Sequence, residues 1–141
     1  MSVFLTKNEM GRLERIVEEE LLAAGVAHVL IVDMSGNLLL ERGSLQMEDT
    51  LSLAVLSAAN FAATVEIARL IGEEDFTLLF HKGDKRNIHF SRLGKEYIII
   101  TLFNEGVSLG LIRLKLNKAI ERMMSVFDVA EGKARGLHRP E

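Results

Sequence analysis

The feature that most constrains this chain is a helix-forming segment that is apolar on two sides. Residues Leu51 to Val65 carry no charge. Asp49 or Thr50 can cap a helix there that runs to about Ile71 and closes at Gly72. At helical spacing Leu53, Leu56, Ile67 and Ile71 share one face with Asn60 and Thr64. Leu51, Val55, Ala58, Ala59, Ala62 and Val65 share the opposite face, edged by Glu66 and Arg69. A surface helix needs only one apolar stripe. The second stripe therefore needs a further layer, from this chain or from a partner. The uncharged run is shorter than the roughly 20 residues of a membrane span, so insertion into a membrane is not expected.

The rest of the chain supplies layers for that helix. Thr6 and Glu9 read as a capping box, with Leu5 and Met10 placed as a hydrophobic staple. Met10, Leu13, Val17, Leu21 and Ala24 follow at helical spacing up to Gly25. Val26 to Asp33, the turn Met34-Ser35-Gly36-Asn37 and Leu38 to Arg42 predict a hairpin. Asp75 to Lys82, Arg86 to Leu93 and Glu96 to Phe103 predict three further strands, with turns at Gly83-Asp84-Lys85 and Gly94-Lys95. Leu109, Ile112, Leu116, Ile120, Met123 and Phe127 predict a last helix, although residues 111–116 also alternate like a strand. The order α-β-β-α-β-β-β-α argues an α+β fold with a mainly antiparallel sheet. A single domain over 1–127 is expected, followed by a flexible polar tail over 128–141. Pro140 is the only proline, so no proline interrupts an earlier element.

Several functions are excluded or disfavoured by residue content. Without cysteine there is neither a disulfide framework nor a thiolate zinc site. No phosphate-binding G-x-x-x-x-G-K-[ST] loop, G-x-S-x-G elbow or H-E-x-x-H pair occurs, and Gly132-Lys133 lacks the first spacing. Met1 to Met10 lacks the long apolar stretch of a secretory signal, and a cytoplasmic location is expected. Net charge is −3 but uneven: residues 1–79 hold 5 basic and 13 acidic side chains, residues 80–141 hold 12 and 7. The basic groups are scattered with little aromatic interleaving, which argues against nucleic acid. The polarity fits solvated faces, or a bipolar surface that orients a charged partner.

The individual candidates for chemistry each have a plainer role. His81 and His89 fall on adjacent predicted strands, and strand register decides whether they meet; two imidazoles without a third ligand make a poor metal site. His28 sits in an apolar strand, as a hydrogen-bonded core or interface residue. Asp33 fits a carboxylate that organises its turn better than an acid in a site. Arg113 fits a solvated helix residue better than a catalytic finger. No catalytic residue, metal or cofactor is expected.

The stretch from Leu53 to Leu116 resembles the Roadblock/dynein-light-chain family, and within it the bacterial MglB-type regulators of small Ras-like GTPases. The likeness rests on Ala58-Ala59-Asn60-Phe61-Ala62-Ala63, Leu70-Ile71-Gly72-Glu73, Phe76 with Phe80-His81-Lys82-Gly83, and Ser108-Leu109-Gly110-Leu111-Ile112-Arg113-Leu114. Val29 to Asp33 with Gly36 matches too, and by element order the likeness spans about residues 7–127.

The resemblance implies a five-stranded antiparallel sheet with the second helix on one face and the first and third helices on the other. It implies a homodimer whose seam holds Phe76, Leu78, Phe80, Val55 and Ala59. It also implies a GTPase platform on the paired second helices, through Ala58, Ala59, Ala62, Glu66 and Arg69. Leu53, Leu56, Ile67 and Ile71 would then rest on the sheet. The implied function is that of a dimeric regulator, an MglB-type GTPase-activating protein of bacterial polarity or motility without a catalytic site of its own. The alternative is a scaffold of the same fold with no effect on hydrolysis. Glu66 departs from the small residue expected at its position in MglB-type proteins.

Overall fold

The computed structural model describes residues 5–74, 76 and 79–137, with side chains as far as Gly132. The first helix starts where its capping chemistry lies. The Thr6 hydroxyl accepts from the Glu9 amide at 3.1 Å, and the Glu9 carboxylate accepts from the Thr6 amide at 2.8 Å, so two orphan donors are satisfied reciprocally. Helix α1 covers Lys7–Ile16. It widens into one π-helical turn over Val17–Leu21 and tightens into a 3-10 turn over Leu22–Ala24.

The sheet comprises β1 (Val26–Asp33), β2 (Leu38–Gly43), β3 (Leu79–Lys82), β4 (Arg86–Leu93) and β5 (Tyr97–Asn104). Its order is β2-β1-β5-β4-β3, with every neighbouring pair antiparallel. The expected α+β architecture and element order are present. Asp75, Thr77 and Leu78, in the first part of the predicted third strand, lie outside the described residues.

The pleat divides the core in two. Val29, Ile31, Ile99 and Phe103 pack on Leu13, Ile16, Val17 and Leu21 from the first helical segment. Ile112, Leu116, Ala119 and Met123 from the last helix complete that layer. On the other face Leu30, Val32, Phe90, Ile98 and Ile100 meet Ala54 and Phe61 of the second helix, with Leu53 and Val65 packed beside them. Among the described residues the second helix is thus alone on its face of the sheet.

That helix, α2, spans Thr50–Leu70, and Asp49 is its cap: its carboxylate accepts from the Ser52 amide at 3.0 Å and the Ser52 hydroxyl at 2.7 Å. By length and composition alone α2 could cross a membrane; here its inner face is a layer of the domain. The expected assignment of its faces is corrected in part: Leu53 packs on the sheet as expected, but the other large residues expected beside it do not. Ala54, Ser57, Ala58, Phe61 and Ala68 point inward and are buried, whereas Leu56, Ile67 and Ile71 are exposed. The physical reason is close approach. The sheet beneath α2 is already filled by Leu30, Ile98, Ile100 and Phe90, so the helix comes down on small side chains and one ring.

The last helix, α3, covers Leu109–Leu137, so residues 111–116 are helical. The Ser108 hydroxyl accepts from the Leu111 amide at 3.4 Å near its start. The helix runs on past 127/128, where the polar tail was expected to begin, and Val126, Phe127 and Ala130 extend its buried stripe.

Candidate functional site

The surface that stands out is the outer side of α2. Leu51, Leu56, Leu70 and Ile71 are each 64–69% exposed, and Val55 and Ile67 are exposed as well. Apolar groups this large and contiguous mark an interaction surface.

Two flanks of α2 differ in what lies beside them. One flank carries Leu51, Val55, Ala59, Ala62, Glu66 and Arg69. It turns toward the β1–β2 hairpin, where Gly36 lies against the Val55 backbone. The other flank carries Leu56, Asn60, Thr64, Ile67 and Ile71. It turns toward β3 and β4, because Phe61 and Thr64 share a cavity of about 180 Å³ with Phe76, Leu79, Phe90 and Arg92. The Arg92 guanidinium lies 5.1 Å from the centre of the Phe61 ring, close enough for a cation–π attraction.

The expected contact residues distribute unevenly over these flanks. Ala59, Ala62, Glu66 and Arg69 are exposed together on the hairpin side. Ala58 is 5% exposed and faces the sheet, which corrects its expected place on the outer surface. Val55 and Ala59 lie across the helix from β3. Phe76 is exposed, but Phe80 turns to the α3 face and stacks on Phe103 at 6.0 Å. Leu78 falls outside the described residues.

Glu66 and Arg69 form a fork-shaped ion pair on the platform flank, with Arg69 Nε donating to both carboxylate oxygens at 3.1 and 3.2 Å and Nη2 donating to Oε1. The bonds from Arg69 hold the Glu66 carboxyl below its usual range and raise the guanidinium in turn. A charge-neutral pair therefore stands where a small residue was expected.

The other candidates settle into structural roles. Asp33 Oδ1 accepts from the Ser35 and Asn37 amides at 2.9 Å, and Oδ2 accepts from the Asn37 side chain at 3.0 Å. Burial alone would raise the Asp33 carboxyl, but the bonds from Asn37, Ser35 and Gly36 outweigh it and hold it low. His81 pairs with Ile88 and His89 with Phe80, so the two rings fall on opposite faces of the sheet. His89 is buried, and desolvation first, then the Arg113 charge, push it down to about 4. Arg113 and Arg122 lie on α3, across the sheet from α2.

Sequence reasoning missed the π turn. There Glu19 and Glu20 both hold Arg122, at 3.0 and 3.3 Å, and Lys118 reaches Glu20 at 3.9 Å. The run Glu18-Glu19-Glu20 is its only signal in the sequence.

Comparisons with known proteins agree with this geometry. The Roadblock/LC7 domain matches residues 13–103. Myxococcus xanthus MglB superposes with a TM-score of 0.82 at 31% identity, covering 91% of this chain and 96% of that one. The gliding protein MglB of Thermus thermophilus gives 0.81 at 28% identity, covering 93% and 97%. An MglB with a tetrameric arrangement gives 0.83 at 27% identity, covering 92% and 97%. An uncharacterised protein of Aquifex aeolicus (strain VF5) is 29% identical over 117 residues, 81% of this chain and 72% of that protein. A Roadblock/LC7 domain from Streptomyces avermitilis, at 10% identity and a TM-score of 0.66, shares the fold. The chain belongs to the Roadblock/LC7 family, with MglB proteins among its structural neighbours.

Proposed function

We propose that the protein is a homodimeric regulator of a small Ras-like GTPase, acting as an MglB-type activating protein in bacterial polarity or motility. The observation that carries this reading is the exposed apolar back of α2, on a fold shared with MglB proteins over more than nine-tenths of the chain, 91% and 93% in two of them. One helix offering two apolar flanks suits two neighbours. The flank above β3, with Leu56, Ile67 and Ile71, suits a second copy, joined by Phe76 and the β3 edge. An open edge strand is a pairing site that a two-fold partner covers on both copies at once. The hairpin-side flank, with Ala59, Ala62, Glu66 and Arg69, suits the GTPase, because small side chains let a partner's backbone come close.

Activation would proceed without a donated arginine. A finger must sit on a rigid support that reaches the nucleotide. Arg69 is held by Glu66, Arg92 lies over Phe61, and Arg113 and Arg122 are on the other side of the sheet. The protein would instead use binding energy to favour one arrangement of the GTPase's own groups.

The test is GTP hydrolysis by a Ras-like GTPase from the same organism, with and without this protein. Acceleration supports the proposal. Binding without any change in rate supports the second reading, a dimeric scaffold, which the Glu66–Arg69 pair on the platform favours.

A further inference from the structure

His28 makes two hydrogen bonds that together fix its protonation state. Its Nε2 lies 2.7 Å from Glu41 Oε2, and its Nδ1 accepts from the Leu45 amide at 3.3 Å. A carboxylate only accepts, so Nε2 carries a hydrogen, and Nδ1 must then be bare to receive Leu45. Only the neutral Nε2–H tautomer satisfies both partners. The ring is buried, and the chain closes tightly over it. Gly43 has φ +145°, and a Cβ there would lie 2.4 Å from both His28 Nδ1 and the Ala27 carbonyl oxygen. That carbonyl is itself engaged by the Ser44 amide at 2.9 Å and the Ser44 hydroxyl at 3.3 Å. A second hydrogen on the ring would therefore point at the Leu45 N–H.

We propose that His28 is a protonation-sensitive latch on the segment Ser44 to Asp49, which leads from β2 into α2. In the neutral ring the latch is closed. When the ring is charged, its contact with Glu41 becomes a charge-assisted ion pair and strengthens. The Leu45 bond is replaced by two donors facing each other, and the segment lifts. Glu41 keeps the ring in place, so the outcome is a local release rather than unfolding.

The ionisable groups around the latch are few. On β2 the facing group is Glu41; Arg42 pairs instead with Glu14. On β5 the residue opposite is Leu102, which is apolar. In the segment itself Glu48 and Asp49 are exposed, and Asp49 is engaged in capping α2. Glu41 is the one charged group paired with the ring among the described residues. Because Asp49 ends the latched segment, its release loosens the hold on the first turn of the helix that carries the exposed apolar surface. The latch would act whatever that surface binds.

The test follows the ring and the Leu45 amide together. Nitrogen chemical shifts of His28, followed as the pH is varied, report its tautomer and its protonation. Amide exchange at Leu45, corrected for its intrinsic pH dependence, should accelerate roughly tenfold or more with the same midpoint. His28→Gln can keep both hydrogen bonds without a titrating group, and its Leu45 protection should stay level over the same range. If that variant fails to fold, the wild-type comparison alone decides. Three outcomes overturn the proposal: an Nδ1–H tautomer at neutral pH, Leu45 protection unchanged while the ring titrates, or a ring that stays neutral until the whole protein unfolds in acid.

Discussion

Gly36 lies so close to Val55 that a Cβ built on it would sit 2.8 Å from the Val55 Cα. The contact joins the β1–β2 turn to the second turn of α2, and it is backbone against backbone. Gly36 also has φ +89°, a left-handed conformation that disfavours any side chain. Gly36→Ala should therefore cost about 2–4 kcal/mol of stability, from strain and from pushing α2 outward. Urea denaturation would measure the loss. A variant within about 0.5 kcal/mol of wild type, the range of neutral surface changes, would show that α2 is not held at this point.

The Glu19–Arg122–Glu20 cluster ties the π turn to α3. Among the described residues, Arg122→Ala leaves Glu20, which is largely buried, with the more distant Lys118 as its remaining cation. The expected loss is about 1–3 kcal/mol, the usual penalty for leaving a buried polar group short of a partner, since Lys118 still offsets part of the charge. Adding Glu20→Gln to that background should recover part of it. Thermal unfolding of the two variants checks this, and independent, additive losses would rule out the coupling.

Acid stability should carry the signature of His89. Its pKa in the folded protein, about 4, lies below the ordinary imidazole value of 6.5. Between these two values the unfolded chain binds the proton that the folded one refuses. Stability is therefore fully present above about pH 6.5 and falls as the pH drops toward 4, by something on the order of 3 kcal/mol. His89→Gln should remove that part of the slope. Equal pH dependence in wild type and variant, measured by denaturation at several pH values, would contradict the assignment.

The two flanks of α2 should fail separately. Ala62→Arg adds bulk and charge to the platform flank, and it should weaken GTPase binding by more than about 2 kcal/mol while the protein stays dimeric. Ile67→Glu on the flank above β3 should do the reverse and yield a monomer, seen by light scattering. Calorimetry with the GTP-bound partner reads the first effect. Should Ala62→Arg break the dimer, or Ile67→Glu leave it intact, the two flanks would need to exchange roles.

Arginine substitutions should be mild in the rate assay. Arg69→Ala, Arg86→Ala and Arg113→Ala should each leave turnover at saturating regulator within about tenfold of wild type, against the roughly 10³–10⁵-fold that a supplied finger contributes. A thousandfold loss from one of them, with binding intact in a single-turnover experiment, would identify a finger.

The sequence by itself determined the elements and their order. Capping residues, turn glycines and short β-branched runs act over a few residues, so Thr6–Glu9, Asp33–Asn37 and Val26–Asp33 could be read locally. It also determined that the second helix is apolar on more than one side. Which side faces the sheet was decided only by tertiary structure. Apolar residues are spread almost evenly around α2, so periodicity has no preferred direction. The choice falls instead on how near the helix can approach a sheet already filled by Leu30, Ile98 and Ile100, and that selects Ala54, Ser57, Ala58 and Ala68 over Leu56 and Ile67. Partners far apart in sequence, such as Glu20 with Arg122 or Gly36 with Val55, exist only once the layers are stacked. The end of α3 was missed for a related reason: Ala130 is helical because the core beneath it is apolar, and no residue near 128 announces that.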